Sequence, residues 1–417
     1  MFGKIIQTIF SKGIISIINF LMVVLTAQYL GAGGRGEISM LFLNITVILL
    51  FNDIIGGSSL VYLTSKRNPY TLFLPAMAVG LFTGIVFPFL FNLHFNFPKT
   101  ELVYFLLLTL LSNFSSICNY FLNGFEKIKQ NNIANILQSV VTVASLALQL
   151  LVLKDFSVYS YYRALGLGYL TNLLISAWGL RGLFKPVSFS WKESIRVIAS
   201  YGLIGQAGNI FQLLNYRFCY YVLDGMNDEH SKQNVGVFST AASVSEAVWV
   251  IMNGIAMVQY ATLSNRNNPQ LAINITLKLS KISFALSVFA LLVLNILPVE
   301  VFTFLFGPDF AEMKNYCLLL SPGIATAGLT GIYSHYFAAR GDMKTSASGA
   351  LVGLIITFGC SVFFIPVYGA KGAALTNCAS YIASSVFLIA MFKIQSKTSL
   401  YSMFFSWKNL FPLTGKS

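Results

Sequence analysis

Residues 5–63 read IIQTIFSKGIISIINFLMVVLTAQYLGAGGRGEISMLFLNITVILLFNDIIGGSSLVYL. Two apolar runs, about 5–29 and about 38–63, flank a short glycine-rich connector. A bilayer core about 30 Å thick is crossed by about 20 helical residues. Each run therefore has the length of a membrane span, and the stretch predicts a transmembrane helical hairpin. Its first run is too long for a cleaved signal peptide, and further spans follow at once. Gly31, Gly33 and Gly36 spell GxGxxG, but a dinucleotide site needs a strand before the glycines and a βαβ unit around them. Helical spans on both sides exclude that reading.

The same pattern continues along all 417 residues, of which 56% are hydrophobic and 10% charged. Soluble domains carry roughly a quarter charged residues, and a transmembrane β-barrel shows short alternating segments. The chain reads as an all-α polytopic membrane protein. Ten more candidate spans follow, at about 72–91, 102–122, 133–153, 159–180, 198–223, 235–260, 282–306, 315–339, 345–366 and 372–392. The twelve transmembrane helices fall into two six-helix lobes, expected to surround a central cavity. The division is 1–180 for the N-terminal lobe, 181–197 for a basic cytoplasmic linker, 198–395 for the C-terminal lobe and 396–417 for a cytoplasmic tail.

The net charge is +13, and it reads as topology rather than nucleic-acid binding. Lys and Arg collect on the cytoplasmic side of short loops. Of the 27 basic residues, Arg163 and Arg217 lie within spans. With the N-terminus inside, Arg35, Lys99, Lys154, Lys232, Lys314 and Lys371 face out, and the other nineteen face the cytoplasm. Both termini are expected there. The outer connector Asp224 to Asn234 carries Asp224, Asp228 and Glu229.

Weak internal matches support a six-plus-six duplication. At an offset of 216, Tyr120-Phe121 matches Tyr336-Phe337, and Glu126 matches Asp342; Leu170-Thr171-Asn172 also matches Leu375-Thr376-Asn377. Two like-oriented halves relate by an axis along the membrane normal.

Polar residues within spans are costly and mark cavities or partners. Helical spacing aligns Thr8, Lys12, Ser16, Asn19 and Thr26 in span 1, and Asn44, Asn52 and Ser59 in span 2. Span 7 carries Gln206, Asn209, Gln212, Tyr216 and Arg217; span 8 aligns Ser239, Ser243, Glu246 and Asn253. Spans 1, 2, 7 and 8 occupy equivalent places in the two halves, so their polar faces are expected to line one wet chamber. Other readings stay open. Ser, Thr and Asn also bond helix to helix. Lys12 and Arg217 also suit snorkelling to an interface. Glu246 suits an ion carrier or the partner of Arg217 or Lys12. His335 suits a packed interior, and Asp53 and Glu300 suit the headgroup zone. The chamber-facing charge is more basic than acidic, which favours an anionic substrate.

Five scattered cysteines read as buried apolar residues, and three dispersed histidines form no ligand cluster. No metal, cofactor or catalytic residue is expected. Gly415-Lys416-Ser417 ends like a P-loop, but Leu410 takes the place of its first glycine and no helix follows. Any energy this chain uses is therefore expected to come from gradients, membrane potential or consumption of product rather than ATP hydrolysis.

Several motifs then resemble one family in order along the chain: Tyr29-Leu-Gly-Ala-Gly-Gly-Arg-Gly-Glu37, Asn215-Tyr216-Arg217, Gly236-Val-Phe-Ser-Thr-Ala241, Phe306-Gly-Pro-Asp-Phe310 and Pro366-Val-Tyr-Gly-Ala-Lys-Gly-Ala-Ala374. They are similar to bacterial polysaccharide flippases of the O-antigen, Wzx-like type, within the multidrug/oligosaccharidyl-lipid/polysaccharide exporter superfamily. The resemblance implies twelve helices in two lobes, alternating access, and a substrate in which a polyprenol carries an oligosaccharide through a diphosphate. It implies movement from the cytoplasmic to the outer leaflet of a bacterial inner membrane, on a route to lipopolysaccharide. A polysaccharide polymerase is a candidate partner, H⁺ or Na⁺ a candidate coupling ion, and a monomer the expected unit. Family members often carry an acid two positions after the span 7 arginine. Here that place is Cys219, which leaves Arg217 free for substrate.

On this reading Lys12 and Arg217 contact the diphosphate, Asn19, Asn44, Asn209 and Gln212 the sugar hydroxyls, and Tyr216 and Tyr220 the sugar rings. Glu246 is the ion-coupling candidate. The alternative within the superfamily is a drug/cation antiporter, which would display embedded acids. A membrane-embedded polysaccharide polymerase or ligase is a further alternative, but it needs a larger outer loop than this chain has.

Overall fold

The computed structural model describes residues 2–226, 230–264 and 268–399. Asp228 and Glu229, Arg266, Lys408, the tail beyond 399 and its Gly415-Lys416-Ser417 lie outside the described residues, as does the side chain of Thr8. The chain forms two compact units, Met1–Ile210 and Phe211–Ser417.

In unit 1 the order is α1 (Phe2–Ile55), α2 (Gly57–Thr64), α3 (Pro69–Phe95), α4 (Lys99–Gly124), α5 (Ile128–Ala147) and α6 (Val158–Gly179). One π-helical turn, Leu148–Val152, extends α5. Helix α7 (Trp191–Asp224) carries the chain into unit 2. There follow α8 (Ser231–Glu246), α9 (Trp249–Ser264), α10 (Pro269–Ile296), α11 (Val299–Phe306), α12 (Met313–Ala339) and α13 (Met343–Ser396).

Among the described residues, seven helical runs are long and apolar enough to cross a membrane, and up to nine with each bent pair taken as one span. Two of the seven, Phe10–Thr64 and Met343–Ser396, are about twice a span's length. Each is a pair of spans joined at a glycine with non-helical dihedrals: Gly31 (φ 68°, ψ −176°) and Gly369 (φ 56°, ψ −131°). That backbone region is open to glycine alone, so the connectors expected at 29–38 and 366–372 shrink to single-residue breaks. With the 22-residue α6, twelve spans result, in an all-α polytopic fold.

Start signals are local. Asn68 and Asn268 cap α3 and α10 through Tyr70 N and Leu271 N, each followed by proline at the first helical position. The second of these corrects the ninth span. It runs over Pro269–Ile296 rather than 282–306, and Pro298 separates it from short α11. Lys278 and Lys281 look like a boundary in sequence, but they sit inside the helix, where long cationic side chains can reach a polar interface.

Connectors alternate between the ends of each unit. In unit 1 Lys127 Nζ donates to the Gly179 carbonyl (2.8 Å), Arg67 pairs with Glu193 (3.2 Å), and Phe125 packs on Phe184. These contacts gather connectors 2–3, 4–5 and 6–7. At the opposite end Thr100 bonds Tyr159 (3.0 Å) and Tyr29 stacks on Phe156. In unit 2 Lys371 meets Glu312 (3.6 Å), joining connectors 9–10 and 11–12. Apolar cores fill each unit: Ile45, Phe105, Leu108 and Tyr162 in one cluster, Leu72, Ile117 and Phe121 in a second, and Tyr333, Tyr336, Phe337 and Phe392 in unit 2.

The turns that end α4 and α12 share one geometry. After α4, Lys127 N bonds the Leu122 carbonyl (2.8 Å), and Glu126 takes φ 57°. After α12, Asp342 N bonds the Phe337 carbonyl (2.9 Å), and Gly341 takes φ 80°. Both are left-handed helix ends closed by a bond from five residues on. Lys127 thus corresponds to Asp342 and Glu126 to Gly341, an offset one residue short of the sequence match.

Candidate functional site

The densest polar cluster lies inside unit 2, where α7, α8 and the second half of α13 meet. Arg217 donates from both terminal nitrogens to both Glu246 oxygens, at 2.9 and 2.6 Å. This two-pronged geometry is the strong form of a charge pair. The Arg217 side chain is 24% exposed and that of Glu246 9%. Tyr381 Oη donates to Glu246 Oε1 (3.0 Å). The guanidinium also lies 5.4 Å from the Tyr220 ring centre.

This overturns the expectation that Arg217 is free. The missing acid two positions on is replaced by one 29 residues away on α8. Of the readings left open for Glu246, the partner of Arg217 is the one the geometry shows. Cys219, in the acid's place, donates instead to Asn377 Oδ1 (3.2 Å).

Asn377 orders the cluster from the other side. Its amide donates to the Tyr216 carbonyl (3.2 Å) and to Tyr381 Oη (3.4 Å). Tyr216, Trp249 and Tyr381 form a triangle of rings with centres 5.1–5.4 Å apart. Below it Asn215 accepts from Thr357 Oγ1 (2.9 Å) and from Ser380, fastening α7 to both halves of α13. Sequence reasoning missed Tyr381, Trp249 and Thr357. Tyr381 had a signal: it lies four residues, one helical turn, after the Asn377 that the repeat picks out.

The other sequence candidates divide by exposure. Lys12, Asn19, Asn209 and Gln212 are exposed, and Tyr216 is half-buried. Asn209 donates to Gln206 Oε1 (2.6 Å), and Gln212 donates to the Tyr216 hydroxyl. Asn44 and Tyr220 are closed off, at 1% and 4% exposed, the latter edge-on to Phe238. Asn52 and Ser59, expected on the chamber face of span 2, are buried too. Asp53, within span 2, is buried at 6% exposed and accepts from Tyr120 Oη (2.7 Å). His335 bonds the Gly331 carbonyl (2.8 Å) and packs beside Tyr260, half-buried.

A second polar cluster sits in unit 1, and it is neutral. Asn172 donates to Asn135 Oδ1 (3.0 Å) and Gln138 Oε1 (2.8 Å). Ser176 donates to Asn119 Oδ1 (2.8 Å), and Asn119 donates to Asn135 (3.4 Å). No group of three or more metal-ligating side chains occurs among the described residues.

No family model matches the chain, and no curated protein does. Solved structures do. The chain is 15% identical to the lipid II flippase MurJ in an inward closed conformation, with TM-score 0.73 over 95% of this chain and 89% of that one. It is 14% identical to an inward-facing multidrug resistance MATE family transporter of the MOP superfamily, with TM-score 0.72 over 92% and 96%. A MOP superfamily transporter from Pyrococcus furiosus, whose binding pocket is described as of reverse polarity, matches at 14% identity and TM-score 0.66 over 94% of each chain. At these identities the likeness establishes the fold: the chain folds as MOP-superfamily transporters do.

Proposed function

We propose that this protein is a flippase that moves a polyprenyl-diphosphate-linked oligosaccharide from the cytoplasmic to the outer leaflet of a bacterial inner membrane, with both termini cytoplasmic. The observation that carries the reading is the set of polar side chains left exposed on membrane-length helices: Lys12 and Asn19 on α1, Asn209 and Gln212 on α7. Polar groups facing hydrocarbon are unfavourable. Their exposure is what a hydrated substrate path requires, and it is what a scaffold would avoid.

The substrate has a wet and a dry part. Sugars and diphosphate need hydrogen bonds and cations; the polyprenol stays in lipid. Lys12 supplies the charge. At about 4 Å and an effective dielectric of about 20, a cation–phosphate pair gains roughly 4 kcal/mol before desolvation. Asn19, Asn209 and Gln212 supply amide donors and acceptors, and Tyr216 a ring for a sugar face. Arg217 takes a structural role in place of diphosphate contact: bound to Glu246, which also accepts from Tyr381, it ties α7 to α8 and α13. An inside-negative potential drives an anion outward by about 2.3 kcal/mol per charge per 100 mV, so direction needs no ATP. The fold likeness to a lipid flippase supports this choice, as does the basic excess of the whole chain. Lipopolysaccharide O-antigen is the glycan class proposed, with a polysaccharide polymerase receiving the product.

The second reading, a drug/cation antiporter, is favoured by one observation, the carboxylates embedded at Asp53 and Glu246. Against it, Glu246 is already neutralised by Arg217. Proteoliposomes separate the two. The flippase reading expects a fluorescent polyprenyl-diphosphate oligosaccharide to become accessible to an external quencher, with no uptake of a cationic dye. Dye transport with a static lipid-linked sugar would select the antiporter.

A further inference from the structure

Unit 1 carries an open furrow between α3, α4 and α6. Its volume is about 420 Å³, and its eight lining side chains are all apolar. Phe114 and Cys118 of α4 form the floor; Ala78 and Leu81 of α3 and Leu173 and Ala177 of α6 belong to the walls. Cys118 lies deepest, at 2% exposed, whereas Ala78, Leu81 and Ala177 stand exposed at the rim. Small side chains make the space: larger residues at Ala78, Cys118 and Ala177 would fill it. Leu174 and Trp178 continue the exposed apolar surface beside it. Water has no polar partner in such a place, so hydrocarbon fills it.

The furrow has a direction. Its shallow end lies at Phe73, near the start of α3, and at Ala177, near the end of α6. Leu81 is about 12 Å of helix further in than Phe73. That is close to half of a bilayer core about 30 Å thick, the depth of one leaflet. Connectors 65–68, 125–127 and 180–190 meet at the shallow end. They carry Lys66, Arg67, Lys127, Arg181 and Lys185 against one acid, Glu126. Arg67 is engaged by Glu193, and Lys127 by the Gly179 carbonyl. Arg181 and Lys185 are exposed, and among the described residues no carboxylate pairs with either. Chain and stacking tie both to the mouth of the furrow. Arg181 follows Ala177 by one helical turn of chain and lies over the exposed Trp178 ring, 4.1 Å from its centre. Lys185 follows Phe184, whose ring centre is 4.4 Å from that of Phe73 in the furrow wall.

We infer that the furrow is a binding site for one anionic phospholipid. An acyl chain lies along α4 between α3 and α6, and the phosphate headgroup sits at Arg181 and Lys185. A loose lipid shell covers any apolar face of a membrane protein. This place differs in three ways: it has a wall on each side, it is one leaflet deep, and it carries two unpaired cations at its mouth. A guanidinium takes phosphate with two parallel bonds, an exposed Trp ring anchors at the headgroup level, and clustered basic residues select anionic lipid. A polyprenyl chain, methyl-branched and longer than one leaflet, fits this length less well. The inference does not use the proposed function, so the two fail separately.

The test uses native mass spectrometry of the full chain, with phosphatidylglycerol and phosphatidylcholine of the same acyl chains added in turn. The first phosphatidylglycerol should bind about tenfold more tightly than the first phosphatidylcholine, as two cations at a headgroup imply. Arg181→Gln with Lys185→Gln should erase that preference. Ala177→Phe fills the furrow from its exposed rim and should weaken the first phosphatidylglycerol about tenfold with both cations in place. In nanodiscs, a phosphatidylglycerol with a photoreactive diazirine in its acyl chain should label residues 73–81, 114–118 and 173–177 above the other exposed apolar faces. Ala177→Phe should lose that label. Equal binding of the two lipids, a preference that survives the double Gln variant, or even labelling of all exposed apolar faces would overturn the site. So would displacement of phosphatidylglycerol by an equal concentration of polyprenyl phosphate, which would give the furrow to a carried lipid instead.

Discussion

At Leu170-Thr171-Asn172 in unit 1 and Leu375-Thr376-Asn377 in unit 2, the same tripeptide serves the last span of its unit in different company. Asn172 meets amides: Asn135 and Gln138 on α5, with Ser176 and Asn119 behind. Asn377 meets α7, through the Tyr216 carbonyl and the Cys219 thiol, and lies one bond from the Arg217–Glu246–Tyr381 group. The cluster around Asn172 is a neutral amide mesh, and the cluster around Asn377 is built on a charge pair. The two are unequally exposed to loss. Removing one amide leaves its neighbours other partners, whereas removing one half of a buried ion pair leaves a bare charge.

The sharpest way to break the comparison is at the charge pair. Glu246→Ala should cost about 3 kcal/mol or more, because Arg217 is left unpaired. Unfolding in mixed detergent micelles measures it. The double change Arg217→Met with Glu246→Leu should recover most of the loss, since the desolvation cost goes with the charges. If both variants lost the same amount, the pair would not be the source of the difference.

Next come the two glycine breaks, where the units should behave alike. Gly31→Ala and Gly369→Ala force a Cβ into dihedrals that only glycine adopts. Each should lose about 1–3 kcal/mol in the same assay. An effect in one alone would mean that the breaks are not equivalent.

A smaller effect is expected at the amide mesh. Asn172→Leu should cost about 1 kcal/mol, the usual scale of a hydrogen bond between membrane helices. Asn377→Leu should cost more, because it also disturbs the support of Tyr381 and Tyr216.

The smallest effect concerns the turns that end α4 and α12. Lys127 ties its turn to the end of span 6 through the Gly179 carbonyl; Asp342 ties its turn to the end of span 12 through Gln395 Nε2 (3.0 Å). Opposite charges do the same mechanical job. Hydrogen bonding, first from Thr345 and then from Gln395, holds the Asp342 carboxyl below the usual carboxylate range. The folded state therefore binds that proton less well than the unfolded state. The stabilisation is fully present above about pH 4, the ordinary aspartate value, and is lost as pH falls through the depressed folded value. Asp342→Ala should cost about 0.5–1 kcal/mol at neutral pH, and its stability should converge on wild type in acid. A gap that stays constant with pH would remove the carboxylate from the account.

Much of this was legible in sequence because it is local. Apolar length set most of the spans, but it passed over the start signal at Asn268-Pro269, which put the start of the ninth span at 282 instead of 269. The Leu-Thr-Asn repeat found the two anchor asparagines. What escaped was long-range or depended on a missing side chain. The acid for Arg217 stands on another helix, so the empty place at Cys219 misled. The repeat register was off by one because sequence aligned two acids, Glu126 and Asp342, while the backbone aligns two left-handed helix ends. Asp53 gave no local signal of its burial, because its partner Tyr120 stands on another helix, α4.

We propose that the exposed polar faces of α1 and α7 carry substrate, while the Arg217–Glu246 pair holds the fold. Flipping of a fluorescent polyprenyl-diphosphate oligosaccharide in proteoliposomes tests it most directly, with Lys12→Ala and Gln212→Ala set beside the Arg217→Met, Glu246→Leu double variant. The account predicts transport lost at least tenfold in the two surface variants at unchanged stability, and retained within a few-fold in the double variant. Full transport in Lys12→Ala and Gln212→Ala, with none in a well-folded double variant, would contradict it.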